Sequence, residues 1–172
     1  MIRYDLPKPI KAVIAEMYLY DMDETKTAWV PCKVFAIDAY PGEALTVTVL
    51  LDDGSMFNYI PLDAVMTKAP EEGAFLLPYT DLVYNNCIGG KVAVTVHEVL
   101  NQPVWAYFKN KNLWMGAEFV CCLDFYEGND LMNFLILESG QFAALPNHKI
   151  KFGANAPKEL PQYKKLRKVW KV

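Results

Sequence analysis

The chain has 172 residues, of which 53% are hydrophobic and 22% are charged, and its formal net charge is −3. These proportions are typical of a globular protein and exclude a wholly disordered, collagen-like or low-complexity chain. No apolar run reaches the roughly 20 residues of a membrane-spanning helix, and residues 1–11 lack the apolar core of a secretion signal. We therefore expect a cytoplasmic protein without membrane association.

Strand patterns follow one another from the N-terminus. Residues 10–20, 31–39, 45–52 and 55–61 are predicted strands, because β-branched and aliphatic residues dominate them and turn residues separate them. Residues 90–99, 117–124, 131–138 and 141–146 repeat the arrangement, and residues 105–108 add a short strand. The best helical candidate is a single turn at residues 61–65, which begins with a proline.

The two groups of strands are related by an internal repeat. Residues 34–56 and 120–142 share seven identities in 23 positions at a separation of 86 residues, including Asp38/Asp124, Tyr40/Tyr126 and Gly54/Gly140. Outside this stretch, Trp29 matches Trp114, Pro61 matches Pro146, and residues 11–14 resemble residues 91–94. The paired glycines indicate hairpin turns, since glycine accepts a positive φ.

The order of these features resembles a known small barrel. A tryptophan, a strand, a Tyr-x-Gly turn, a strand, a glycine hairpin, a strand and a proline turn are arranged as in SH3-like barrels, especially the Tudor-like group, over residues 29–65 and 114–150. We predict an all-β fold of two similar SH3-like small barrels that arose by duplication and pack as one unit, followed by a basic C-terminal tail. The predicted boundaries are 1–67 for the first barrel, 68–80 for a linker that packs between the barrels, 81–152 for the second barrel and 153–172 for the tail. Residues 75–79 in the linker are too apolar to be expected at the surface.

Aromatic residues near strand ends are the first set of candidate binding residues. The resemblance to Tudor-like barrels implies that such residues form a cage that holds cationic side chains by cation–π attraction. The alternative is that they belong to the core or to the seam between the barrels. The candidates are Trp29, Tyr40, Phe57 and Tyr59 in the first copy and Trp114 and Tyr126 in the second.

The distribution of charge supplies the second set. From His148 to Val172 there are eight basic residues and one acidic residue, a net charge of +7, so residues 1–147 carry −10. The tail either lies against the acidic body, stays solvated, or forms an arm for nucleic acid or an acidic partner. Its candidate binding residues are Lys164, Lys165, Arg167, Lys168 and Trp170.

Signatures of catalysis and of metal binding are missing from the sequence. It contains no phosphate-binding loop, no HExxH pair and no GxSxG elbow. The four cysteines and two histidines lack zinc-site spacing, so we expect Cys32, Cys87, Cys121 and Cys122 to be buried thiols. Residues 21–24 lack the glycine and distal glutamate of a calcium loop. Asp38 and Asp124 are either a carboxylate pair or, more simply, caps of their own turns.

These observations predict no enzymatic activity, no cofactor and no metal. The leading functional hypothesis is a non-catalytic binding or assembly module that engages a protein partner through aromatic strand ends or the groove between the barrels. The main alternative is a nucleic-acid-binding protein that uses the basic tail, with lysines on phosphates and aromatic rings stacked on bases. A third hypothesis is an enzyme of unknown type that uses Asp38, Asp124 or His97.

Overall fold

The computed structural model describes residues 2–20, 28–39, 45–83, 94–97, 103–108, 112–125 and 131–158. Strands make up most of this part of the chain, and its two α-helices, Met17–Tyr20 (α1) and Tyr79–Leu82 (α2), are single turns. None of the described helices is long and apolar enough to cross a membrane. The strands are β1 (Ile2–Ala15), β2 (Trp29–Ala39), β3 (Thr46–Leu51), β4 (Met56–Pro61), β5 (Val65–Met66), β6 (Val94–His97), β7 (Pro103–Phe108), β8 (Leu113–Phe125), β9 (Leu131–Leu137), β10 (Phe142–Pro146) and β11 (Ile150–Phe152).

The strands form two antiparallel sheets with matching order. The first sheet runs β4-β3-β2-β1-β5, and the second runs β10-β9-β8-β7-β11 with β6 also paired to β8. In both sheets a 3-10 turn, Leu62–Ala64 or Asn147–Lys149, follows a proline and connects the fourth strand to the short fifth strand. The predicted all-β fold with two similar halves is therefore confirmed, and so is the predicted turn after Pro61.

Strand β1 begins much earlier than the sequence pattern predicts. Residues 2–5 pair with the end of β2 and residues 10–15 pair with its beginning, with a shift of register between them. Pro7 and Pro9 lie in this interval. A proline has no backbone N–H to donate, so the ladder breaks there while the strand continues. In the second sheet, β6 and β7 pair with β8 as the two parts of β1 pair with β2.

The strand registers correct the sequence alignment of the two halves. Asp38 pairs with Thr46, whose counterpart in the second sheet is Met132, and Met132 pairs with Leu123. Leu123, and not Asp124, therefore occupies the position of Asp38, since β2 and β8 are related by 85 residues and β3 and β9 by 86. The upstream match of residues 11–14 with 91–94 is also wrong, because residues 10–15 correspond to the segment that contains β7.

The hairpins between the third and fourth strands are the same turn in both halves. Gly54 and Gly140 each have φ of +88°, in the left-handed region that favours glycine. Leu51 and Leu137 each donate a backbone hydrogen bond across the hairpin at 2.8 Å, to Ser55 and Gln141 respectively. The predicted glycine turns are thus confirmed in both copies.

The linker joins the two halves into one core. Leu77, Leu82 and Val83 are buried in a single hydrophobic cluster with residues of both sheets. Backbone bridges connect Met66 to Gln141 and Val83 to Ala144. The prediction that residues 75–79 pack between the halves holds for Leu77, but Phe75 and Leu76 are exposed by 54% and 39%.

Candidate functional site

A shallow groove of about 370 Å³ lies across strands β7, β8 and β9 of the second sheet. We refer to it as the acidic-aromatic groove, because an indole ring and two carboxylates line it. Its residues come from neighbouring positions of the three strands and from the first residue of the hairpin that follows β9, and the six that define it are Pro103, Trp105, Gly116, Glu118, Ile136 and Glu138. All the described residues that line the site therefore belong to the second sheet and its hairpin.

Gly116 provides the floor of the acidic-aromatic groove. It pairs with Trp105 on β7, and its carbonyl accepts a hydrogen bond of 3.1 Å from the backbone N–H of Glu138. A Cβ atom at this position would overlap the Glu138 carboxylate, whose Cδ would lie 3.0 Å away. The absence of a side chain at residue 116 therefore lets the carboxylate lie above the sheet beside the indole.

The indole of Trp105 is held in place by Gly153, the residue that follows β11. Its Nε1–H donates to the carbonyl of Gly153 at 3.0 Å, and the N–H of Gly153 donates to Pro103 O at 3.1 Å. Two hydrogen bonds thus attach Gly153 to β7. Because the N–H of Trp105 is used in this way, the ring can offer a ligand only its apolar and π surface.

The groove carries negative charge that no basic side chain of the described residues neutralises. Glu118 and Glu138 are exposed, and neither forms an ion pair in the described part of the chain. Among the described residues of these strands, the nearest basic residue in the ladder is Lys151 on β11, which pairs with Trp105. Strand β11 lies on the opposite side of β7 from the two carboxylates. The surface is therefore suited to a cation that brings its own apolar stem.

Aromatic residues continue along the same face. Tyr107 lies two residues after Trp105 on β7 and pairs with Trp114, which lies two residues before Gly116 on β8. The two ring centroids are 5.3 Å apart, with an angle of 52° between the ring planes. Residues two positions apart on a strand share a face, so this pair and Trp105 line one side of the sheet. Tyr107 Oη also donates to Asn112 Oδ1 at 2.9 Å, which fixes the tyrosine ring.

The first sheet lacks an equivalent groove, although its strands are arranged in the same way. By register, Val13 corresponds to Trp105, Pro31 to Gly116 and Lys33 to Glu118. A proline ring fills the floor, a lysine reverses the charge and the indole is missing. The groove is therefore a feature of one copy only.

The aromatic residues predicted from the sequence lie in several environments. Trp29 and Trp114 occupy corresponding positions at the starts of β2 and β8, and both are half-buried. Phe57 packs against the hydrophobic core, whereas Tyr59 is 50% exposed in a bulge of β4, with φ of +59°. Strand β3 separates Trp29 from these two residues. Tyr40 and Tyr126 lie outside the described residues, as do the tail candidates Lys164, Lys165, Arg167, Lys168 and Trp170.

A buried polar cluster is found in the first sheet around Asp38. Thr48 Oγ1 donates to Asp38 Oδ2 at 2.7 Å, and the Arg3 guanidinium lies 3.8 Å from Asp38 Oδ1. Arg3 also contacts Asp5, Asn58 and the face of Phe35. The corresponding positions of Asp38 and Thr48 in the second sheet are Leu123 and Phe134, both apolar. The cluster fixes the first strand to the sheet, and its carboxylate faces an arginine of its own chain.

The remaining polar groups of the described residues do not form a metal-binding cluster. No group of three or more His, Cys, Asp or Glu side chains lies close enough to hold a metal ion there. Cys32, Cys121 and Cys122 are buried thiols, as the sequence predicts. Burial, and secondarily the charge of Asp52, raises the pKa of Cys32 to about 12. A thiol with so high a pKa is a poor nucleophile at neutral pH. Cys87 and residues 21–24 lie outside the described chain.

The groove residues Trp105, Gly116, Glu118 and Glu138 are not among the candidate binding residues that the sequence pattern predicts. A usable signal existed at residue 116, where a glycine interrupts a strand, since such a glycine often marks a close approach of another group. Trp105 could not be ranked above the other aromatic residues, because which face of β7 is solvated depends on the register. Comparison of the chain with protein-family models, with curated proteins and with solved structures finds no match.

Proposed function

We propose that the protein is a non-catalytic binding module that holds a basic, extended segment of a protein partner in the acidic-aromatic groove. The observation that carries the proposal is the juxtaposition of an indole with two carboxylates over a glycine floor, where neither carboxylate forms an ion pair with a described residue. A lysine or arginine side chain fits this chemistry, because its charge is attracted to both carboxylates and to the π face of Trp105. Its apolar stem can pack on Ile136.

The fold supports the same proposal. The strand order, with a 3-10 turn before the fifth strand, is compatible with the small SH3-like barrels that the sequence resembles. In the Tudor-like group the resemblance implies recognition of cationic side chains by aromatic residues. The seam between the two sheets is a weaker candidate, since the buried side chains of Leu77, Leu82 and Val83 already occupy it. We therefore place the partner on the outer face of the second sheet.

Isothermal titration calorimetry with a short lysine-serine peptide, acetylated and amidated, tests the proposal. We expect the peptide to bind and the affinity to fall as salt is raised, since the carboxylates are exposed. The double variant Glu118→Gln/Glu138→Gln should lower the affinity about tenfold, which corresponds to roughly 0.7 kcal/mol for each exposed ion pair. Gly116→Ala should also weaken binding, because the added methyl displaces the Glu138 carboxylate.

The matched control changes the same charge on the corresponding hairpin of the first sheet. Asp52→Asn/Asp53→Asn removes two exposed carboxylates that lie next to Gly54, at the position of Glu138 and Ser139. This variant should bind the peptide as the natural chain does. Equal weakening in both double variants, or no binding at millimolar peptide, would contradict the proposal. A glutamate-serine peptide should not bind at all.

A further inference from the structure

We infer that residues 159–172, the C-terminal segment of the chain itself, dock in the acidic-aromatic groove and compete there with the protein partner. The inference rests on the proposed function, because it names a regulator of the same site. The groove then holds either the segment or the partner. A partner must displace the segment, so the affinity of the natural chain is lower than that of the groove alone.

The last described residues follow a point of attachment to the groove. Gly153 is hydrogen-bonded to both Pro103 and Trp105, two residues that line the groove. The described chain continues only to Lys158, five residues later. The C-terminal segment is therefore tethered, through residues 154–158, to a residue at the rim of the groove on the β11 side.

The charge of the C-terminal segment is opposite to the charge of the acidic-aromatic groove. Residues 159–172 contain five basic residues and one acidic residue, a net charge of +4. Glu118 and Glu138 lie on the far side of Trp105 from β11, without ion pairs in the described chain. Residues 1–147 carry a net charge of −10, which adds a long-range attraction for the segment. Lys151 lies on the near side, so it does not screen the two carboxylates from a segment that crosses the groove.

The length of the C-terminal segment exceeds the width of the groove. The three strand spacings from β11 to β9 amount to about 14 Å. The segment of 14 residues spans up to about 46 Å when extended. It is therefore long enough to cross the groove. Its attachment at the rim gives an effective concentration on the order of millimolar, which is sufficient to occupy a site of modest affinity.

The test uses the full chain with its segment neutralised. The variant Lys164→Gln/Lys165→Gln/Arg167→Gln/Lys168→Gln, the neutral-tail variant, should bind the lysine-serine peptide about two- to tenfold more tightly than the natural chain. The control Lys8→Gln/Lys11→Gln/Lys33→Gln/Lys68→Gln removes four positive charges from exposed sites of the first sheet and linker. It should change the affinity by much less than the neutral-tail variant does.

A second measurement locates the docked segment. A synthetic peptide of residues 159–172 should bind the neutral-tail variant and shift the NMR signal of the Trp105 indole N–H, which Trp105→Phe identifies. Adding Glu118→Gln/Glu138→Gln to the neutral-tail variant should weaken this binding about tenfold.

The outcomes separate the inference from the proposed function. If the lysine-serine peptide binds the natural chain and the neutral-tail variant equally, the inference is wrong while the proposed function stands. If no form of the chain binds that peptide, both are wrong. If a single-stranded oligonucleotide binds the natural chain and Glu118→Gln/Glu138→Gln leaves its affinity unchanged, the groove does not hold the segment, and the nucleic-acid alternative is favoured.

Discussion

The side-chain amide of Gln141 hydrogen-bonds the backbone of Leu77 in both directions. Gln141 Nε2 donates to Leu77 O at 2.9 Å, and Leu77 N donates to Gln141 Oε1 at 2.9 Å. Ser139 Oγ adds a third contact, to Gln141 Oε1 at 3.1 Å. One side chain of the second sheet thus satisfies both backbone groups of a buried linker residue, as a neighbouring strand would do. The corresponding residue of the first hairpin, Ser55, is exposed.

Replacing Gln141 by alanine should destabilise the protein strongly. The substitution leaves the buried N–H and C=O of Leu77 without partners, at a cost of about 1–3 kcal/mol for each group. We expect the free energy of unfolding in urea to fall by roughly 2–4 kcal/mol. Ser55→Ala, the matched change in the other hairpin, should alter it by less than about 0.5 kcal/mol. Similar losses in the two variants would mean that the amide does not hold the linker.

The two hairpin glycines provide a comparison in which backbone strain is the same. Both have φ of +88°, but a Cβ atom at Gly54 would meet nothing within 4 Å, whereas at Gly140 it would lie 2.9 Å from Thr67 Oγ1. Gly54→Ala should cost about 1–2 kcal/mol from the left-handed backbone alone. Gly140→Ala should cost about 1 kcal/mol more than Gly54→Ala, because the added methyl also crowds Thr67 and Lys68. Thermal unfolding of both variants measures the difference, and a larger loss at Gly54 would contradict it.

The buried carboxylate of Asp38 depends on Thr48. Thr48→Val keeps the shape of the side chain but removes the hydroxyl that donates to Asp38 Oδ2 at 2.7 Å. The loss of a hydrogen bond to a charged, buried acceptor should lower the free energy of unfolding by about 2 kcal/mol. Thr46→Val, two residues earlier on β3 and only half-buried, is the control and should be close to neutral. Equal stability of the two variants would show that Asp38 does not need the hydroxyl.

The raised pKa of Cys32, about 12, predicts how its reactivity depends on pH. The thiolate is the reactive form, so the fraction available stays very small below pH 10 and rises only as the pH approaches the pKa. Native protein treated with iodoacetamide at pH 8 should remain unmodified at Cys32, while protein unfolded in guanidinium should react quickly. Peptide mass spectrometry reads both results. Asp52→Asn should lower the pKa only slightly, because burial is its main cause. Rapid labelling of the native thiol at pH 8 would contradict the burial.

Much of the fold could be predicted from local sequence, and most of the groove could not. The hairpins at Gly54 and Gly140 and the turn after Pro61 were predictable because glycine and proline restrict the backbone locally. The full length of β1 was not, since Pro7 and Pro9 are normally a signal against a strand. The sequence alignment matches Asp124 to Asp38, whereas the strand pairing puts Leu123 at that position. A one-residue offset of this kind becomes visible only when the strands are paired, yet it moves every side chain of the strand to the other face.

The groove illustrates the same dependence on register. Trp105, Gly116 and Glu138 lie on three strands and become neighbours only through the ladder. No spacing along the chain identifies them, and the duplicated pattern draws attention to positions that the two copies share. The groove instead comes from positions where the copies differ, such as Pro31 and Gly116.

The hydrophobic core has a consequence for cooperativity. It runs without interruption from Ile14 in the first sheet, through Leu82 in α2, to Phe142 in the second sheet. Two sheets that share one core lose their packing together, so each half stabilises the other. A substitution that loosens the packing of the first sheet is therefore expected to disturb the groove on the second sheet as well.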